Sequence, residues 1–317
     1  MEQHKKRKRK SKAVRKIIIW TLIILLVIII LLIGYAFYKV SVLDSTIKGD
    51  LNRDKSSLRK EKVELDGEPI SIALFGIDSN AERLKENSGE RSDSIVLLSI
   101  NPKKHKTVMI SIPRDMRSEI VGHDSIEKIN HAYAYGGPDM SIKSIEKTMD
   151  VPIDHYASIN MDGIIDLIDH IGGVDVTSNA TFSYKNKDFK KGKKYHLNGE
   201  DARTFMASRK EQGAGGDFGR QARQQLVIQS LAKKLQSFNS IPKINQIFDT
   251  VGENVLTDMK VSDIAKIRTN YKAADKNIEK LQLEGTNQVL DDGLYYFVPD
   301  TESKEDVVQE YRKNLGL

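Results

Sequence analysis

The chain has 317 residues, no cysteine, seven scattered histidines and a formal charge of +6. Nine of its 50 Lys and Arg, with one Glu, fall within residues 1–16 (MEQHKKRKRKSKAVRK), a net +8 that leaves −2 on residues 17–317. The basic character is that of a tail and not of a folded surface, which removes the main support for nucleic-acid binding; scattered histidines and absent cysteines give no zinc spacing.

Residues 17–37 (IIIWTLIILLVIIILLIGYAF) run without a charge for 21 residues, which at about 1.5 Å rise per residue just spans a bilayer core. The run is too long for the apolar part of a signal peptide, and no small-x-small cleavage site follows. The sequence thus predicts a retained anchor with Trp20 and Tyr35 near its ends. The basic tail 1–16 stays cytoplasmic, and residues 38–317 stand outside a single-pass cell membrane. Residues 38–66 are polar and densely charged and are expected as a stalk; a domain is expected over 67–317.

Within that domain ISIALFG (70–76) reads as a buried strand, and SIVLLSI (94–100) with TVMISI (107–112) as a hairpin joined by NPKKHK. SIKSIEKTM (141–149) and MDGIIDLIDHI (161–171) have helical spacing, and VDVT (174–177) reads as a strand after Gly172-Gly173. LNGEDARTFMASR (197–209) predicts a helix capped by Asn198. GRQARQQLVIQSLAKKLQSF (219–238) is the strongest helical pattern, and helices near 241–251 and 261–274 alternate with strands at 279–284 and 294–298. No repeat and no second linker appears, so the expectation is one mixed α/β domain.

In the hairpin, the start of one strand lies beside the end of the next. Arg91 and Asp93 before strand 94–100 should therefore meet Arg114 and Asp115 past strand 107–112. Asp78 joins the same edge if strand 70–76 runs parallel to 107–112. Any one of these charges alone is accounted for by a solvated strand end. As a set, carboxylates beside guanidiniums suit a divalent cation and a phosphate.

A second group lies in RKEQGAGGDFGRQARQQ (209–225). Advancing about 100° per residue puts Arg220, Gln224, Val227 and Leu231 on one helical stripe, with Arg223 flanking it. The first turn of an inward face is thus cationic, beside a helix N-terminus and a glycine loop, a combination suited to an anion. The alternative is an arginine paired with a nearby acid such as Asp217. KINHAYAYGG (128–137) offers Lys, Asn and His but reads more simply as a loop. No phosphate-binding loop of the GxxxxGK[ST] type and no GxGxxG after a strand is present.

FGIDS, RSDSIVLLSI, SIPRD, KINHAYAYGG, GGVDV and GDFGRQARQQ occur in this order. Together they resemble the LytR-CpsA-Psr family of Gram-positive cell-envelope proteins, over roughly residues 70–238 and the tail–anchor–stalk layout. The resemblance implies an α-β-α extracytoplasmic domain. It also implies a phosphotransferase that moves a secondary wall glycopolymer, such as wall teichoic acid or a capsule-like polysaccharide, from an undecaprenyl-pyrophosphate carrier onto peptidoglycan. Carried over by motif, Asp78 and Asp93 would position Mg²⁺ or Mn²⁺. Arg91, Arg114, Arg209, Arg220 and Gln224 would hold the pyrophosphate, with Asp93, Arg91 and Arg114 at the reacting centre. The lipid would run along apolar helix faces such as 161–171 and 226–238. One departure stands out: the family commonly has Arg-x-Arg where this chain has Ala207-Ser208-Arg209, which leaves weaker activity, a substitute cation such as Lys210, a different donor or an altered variant as the readings. A lipid-pyrophosphate hydrolase and a non-catalytic envelope regulator remain the other readings, the latter with only sixteen residues on the cytoplasmic side.

Overall fold

The computed structural model describes residues 34–49, 51–78, 89–236 and 244–317. Contacts divide the chain into two units, 1–45 and 46–317. The first includes most of helix α1 (residues 34–46). No helix among the described residues is long and apolar enough to cross a membrane; the predicted span lies, as far as residue 33, outside the described residues.

Six strands form the central sheet of the second unit, in the order β11-β6-β1-β2-β3-β12. They are β1 (Ile70–Asp78), β2 (Arg91–Asn101), β3 (Lys106–Ile112), β6 (His155–Asn160), β11 (Val255–Thr257) and β12 (Ile278–Gln282). β2 lies antiparallel between β1 and β3, so β1 and β3 run the same way, as the predicted site requires. β6 and β12 extend the sheet in parallel pairings and β11 closes one edge antiparallel, which makes the sheet mixed.

Side chains alternate across the strands, and each face has its own helices. Ala73, Phe75, Leu97, Val108 and Ile110 pack against Ile142, Ile145 and Met149 of α2 (His131–Met149). The same cluster takes in Val307, Tyr311 and Leu315. These last three are spaced by four and form the inner stripe of α8 (Thr301–Leu315), a helix that was not predicted. The Tyr311 hydroxyl lies 2.7 Å from Ser71 Oγ, fully buried. The opposite face carries Ile70 and Ile72, packed with Leu65 and Tyr271, and a separate helical core.

That helical core joins Ile164, Leu167 and Ile168 of α3 (Met161–His170), Phe205 of α4 (Gly199–Ala207), and Val227 and Leu231 of α5 (Gly216–Gln236). The helix faces expected to line a lipid channel are here packed against each other as core. The chain continues through α6 (Ile244–Asn254), α7 (Val261–Asn270) and the hairpin β13 (Gly285–Val289) and β14 (Tyr295–Pro299). Small two-stranded ribbons, β4–β5 (Arg117–Ile120, Ser125–Lys128) and β7–β10 (Val174–Thr177, Lys194–Leu197) among them, decorate the sheet ends.

Two expectations are corrected. From Thr46 onward the stretch expected as a stalk belongs to the folded unit. Lys48 bridges to Thr257, Arg53 pairs with Glu146, and Arg59 grips Asp154 through Nε at 3.0 Å and Nη2 at 2.6 Å with both side chains nearly buried. Its charges are counter-ions for buried acids of the domain, which composition alone does not reveal. KINHAYAYGG is mostly helix: α2 begins at His131, kinks where Gly136 and Gly137 leave helical angles, and resumes at Pro138, a residue suited to a first helical turn.

Candidate functional site

β2 begins at Arg91, so Arg91 and Asp93 are strand residues. Ile77 pairs with Ser92 while Gly76 pairs with Ser94, which makes Asp93 the extra residue of a β-bulge. Bulges re-aim a side chain at a sheet edge. Ile112 at the end of β3 pairs with Ile95, and Arg114, two residues further on, comes back level with the bulge. Its Nη1 donates to Asp93 Oδ2 at 3.0 Å. Arg114 Nε lies 3.5 Å from Asp115 Oδ2, and Asp115 Oδ1 lies 3.0 Å from Lys128 Nζ. Charges of alternating sign thus run Asp93–Arg114–Asp115–Lys128. Asp78 stands opposite Arg91 in the β1–β2 register; its side chain lies outside the described residues.

The glycine-rich stretch is organised by Arg223. This side chain is fully buried and donates from Nε to Phe205 O (3.0 Å), from Nη1 to Ala214 O (2.8 Å) and from Nη2 to Ser208 O. Helix α4 ends at Ala207, and its last carbonyls have no partner within the helix. Arg223 supplies those donors and ties the helix end to the loop that follows. The guanidinium also sits 4.6 Å over the Phe182 ring. Burial lowers its pKa to about 10, with Glu211 opposing that shift and Arg220 adding to it, so it is charged at neutral pH. The loop needs its glycines: a Cβ on Gly213 would stand 2.1 Å from Thr181 O, and one on Gly219 would stand 1.9 Å from Ala214 O.

The helical wheel placed Arg220 and Gln224 inward with Arg223 at the flank. Gln224 is indeed buried and Arg220 half-buried, but Arg223 is the deepest of the three. Arg209 lies two residues past the end of α4, with its backbone N–H donating to Glu211 Oε2 at 2.6 Å. Arg114 and Arg209 line one cleft of about 590 Å³. Pro113 and Asp115 accompany Arg114 on one side; Lys210, Glu211 and Gln221 accompany Arg209 on the other, with Gly215 and Gly216 at the N-terminus of α5. Asn287, Tyr295 and Phe297 of the β13–β14 hairpin form a third wall. Ala207 is exposed at the end of α4, and Lys210 brings a cation into the cleft. Arg91, Asp93, Arg220 and Gln224 do not line that cleft.

Among the described residues, Arg91 Nε, Asp93 Oδ1 and Gln224 Oε1 are buried without a hydrogen-bond partner. A buried polar group left unpaired costs about 1–3 kcal/mol. Such atoms have hydrogen-bonding capacity left for a group from outside the chain. Asp93 Oδ1 in particular suits a hard divalent cation that takes its other ligands from phosphate oxygens and water. Among the described residues no group of three or more His, Cys, Asp or Glu converges to hold a metal without such help. Lys128, which the motif offers although a loop is its simpler reading, and the hairpin wall both join the site. The first was visible as a lysine in KINHAYAYGG, whereas the second carries no motif.

The profile of the LytR_cpsA_psr family matches residues 35–313. A protein of Halalkalibacterium halodurans named polyisoprenyl-teichoic acid--peptidoglycan teichoic acid transferase TagU is 38% identical over 292 residues, 90% of this chain and 94% of that protein. The crystal structure of Bacillus subtilis TagU superposes with a TM-score of 0.63 at 33% identity, covering 78% of this chain and 97% of that one. The structure titled TagT bound to LIIa-WTA superposes at 0.70 with 29% identity, covering 85% and 100%.

Proposed function

Because the chain belongs to the LytR_cpsA_psr family, we propose that its cleft carries out the reaction for which the TagU relatives are named. The protein transfers teichoic acid from a polyisoprenyl-pyrophosphate carrier to peptidoglycan. An acceptor hydroxyl attacks the sugar-linked phosphorus and gives up its proton to water, a phosphodiester bond forms, and the lipid phosphate leaves with the P–O bonding pair. The observation that carries this reading is the Asp93–Arg114 pair at the β2 bulge, opening on a cleft that also presents Arg209 and a helix N-terminus.

Phosphoryl transfer needs little covalent help from a protein; it needs positioning and charge stabilisation. Arg114 and Arg209 hold phosphate oxygens from two walls of the cleft, and Lys210 adds the charge that Ala207 lacks. Arg91 and Arg220 donate from the buried side, and Gln224 would do so through its side-chain amide nitrogen. Asp93 fixes Arg114 through one oxygen, and its other oxygen, together with Asp78, would hold Mg²⁺ or Mn²⁺. The bound cation would supply charge neutralisation at the phosphates. Arg223 touches no substrate and acts by fixing the Arg209 loop. The uncharged segment 17–37 anchors the protein in the cell membrane with the domain outside, where lipid carrier and peptidoglycan meet.

The test is the full chain with Mg²⁺, a polyprenyl-pyrophosphate-linked teichoic acid and peptidoglycan fragments. A phosphodiester-linked product is expected, and Arg114→Ala should lower its rate by about 10²–10³, the usual cost of removing one group that stabilises developing charge. Phosphorylated polymer released to water as the sole product would assign a hydrolase instead, and no product at all would end the enzyme reading.

A further inference from the structure

The hairpin β13–β14 belongs to the part of the chain that carries no recognisable motif, yet it forms a wall of the cleft. It is fastened there through the backbone. Phe297 N donates to Asp115 O at 2.9 Å, and Met116 bridges to Phe297, so β14 is registered on the residue next to Arg114. Strand alternation then decides what faces the cleft. Tyr295 and Phe297 point one way and line it; Tyr296 points the other way, is 1% exposed and donates its hydroxyl to Asp292 at 2.8 Å. Asn287 pairs with Phe297 and Val289 with Tyr295 in the ladder, and Asn287 also lines the cleft.

The walls differ in charge. The walls formed by the end of β3 and the α4–α5 loop carry Arg114, Arg209 and Lys210 among their lining residues, whereas the hairpin wall presents the Asn287 amide and the Tyr295 ring, the Phe297 ring being buried in the core. Tyr295 is 43% exposed, with Lys128 Nζ 5.9 Å from its ring centroid. The turn beyond it is acidic, with Asp291 and Asp292.

The proposed reaction needs two partners of unlike chemistry. The donor brings a pyrophosphate and a polyol-phosphate polymer, negative along its length, which an acidic turn repels and cations attract. The acceptor is a glycan of N-acetylated pyranoses with a hydroxyl to offer, which an aromatic ring and a side-chain amide suit: the ring covers the C–H face of a sugar, and the amide meets hydroxyl and acetamido groups. We infer that the wall formed by Tyr295 and Asn287 is the acceptor subsite, which seats a peptidoglycan sugar so that its hydroxyl faces the phosphate held by Arg114 and Arg209. This inference rests on the proposed transferase reaction.

The experiment varies donor and peptidoglycan fragment separately with the full-length wild type, Tyr295→Ala and Tyr295→Phe. Tyr295→Ala is expected to raise KM for the fragment about tenfold, equivalent to about 1.4 kcal/mol, while KM for the donor changes less than twofold. Tyr295→Phe keeps the ring and should stay within twofold on both. A rise in donor KM in place of acceptor KM, no change in either, or equal damage from both variants overturns the assignment. Should the wild type form no transfer product, the proposed reaction has failed, and saturation-transfer NMR of the fragment then decides the subsite independently. Contact seen with the wild type and lost with Tyr295→Ala supports it; equal contact, or none with the wild type, overturns it.

Discussion

Replacing Arg223 by Met isolates the role assigned to it. Methionine fills similar space without a donor, so the carbonyls of Phe205, Ser208 and Ala214 each lose a partner. A hydrogen bond from a charged group contributes about 1.5–3 kcal/mol, which for three bonds gives an upper bound of about 9. Relief of the burial that lowers the Arg223 pKa offsets part of this. Removing one side of a buried charged network usually costs about 3–5 kcal/mol net. At about 2–4 °C per kcal/mol for a domain of this size, Tm should fall by roughly 10 °C. The assay is thermal unfolding followed by circular dichroism, with donor KM measured well below the transition. Because the loop carrying Arg209 hangs on the same three bonds, donor KM should rise several-fold in protein that is still folded. Arg223→Lys, with a single ammonium, should fall between. A Tm within about 2 °C of wild type together with an unchanged donor KM would refute the reasoning.

Two further outcomes follow from the fold. Arg59→Ala leaves Asp154 buried with, among the described residues, only the Ser71 N–H as a hydrogen-bond partner and should cost about 3–5 kcal/mol; a chain begun at residue 60 should be destabilised likewise, one begun at residue 46 should not, and chemical denaturation distinguishes them. His155 Nδ1 lies 2.8 Å from Asp258 Oδ2. Burial pushes the His155 pKa down, but the Asp258 hydrogen bond and the charges of Asp258, Asp154 and Asp263 more than offset this and raise it above 6.5. A raised folded pKa means that the stabilisation is complete below pH 6.5 and is lost as pH climbs through the folded value. Wild type should therefore lose more stability between pH 6 and 9 than Asp258→Asn; parallel Tm profiles would contradict this.

What the sequence made legible was what depends on local pattern. The apolar runs of β1, β2 and β3 gave the sheet edge where Asp93 meets Arg114, and Asn198 marked the start of α4, where its side chain accepts from Asp201 N. Arg223 was placed at the flank because helical phase counts apolar neighbours, and the carbonyls at the end of α4 that draw it inward belong to another element. The hairpin wall was hidden for a similar reason. GTNQV has no apolar alternation, and its position comes from a backbone bond between Phe297 and Asp115 that no side-chain pattern encodes. Likewise α8 shows its Val307–Tyr311–Leu315 stripe only once the polar residues between are read as a solvent face.

The central claim is that the cleft between Arg114 and Arg209 holds a lipid pyrophosphate. A crystal structure of the protein with a polyprenyl-pyrophosphate glycolipid and Mg²⁺ tests it most directly. Phosphate density is expected within hydrogen-bond distance of both arginines, with the cation on Asp93 Oδ1. Pyrophosphate bound away from Arg114 and Arg209, or no binding at concentrations that saturate transfer, would contradict it.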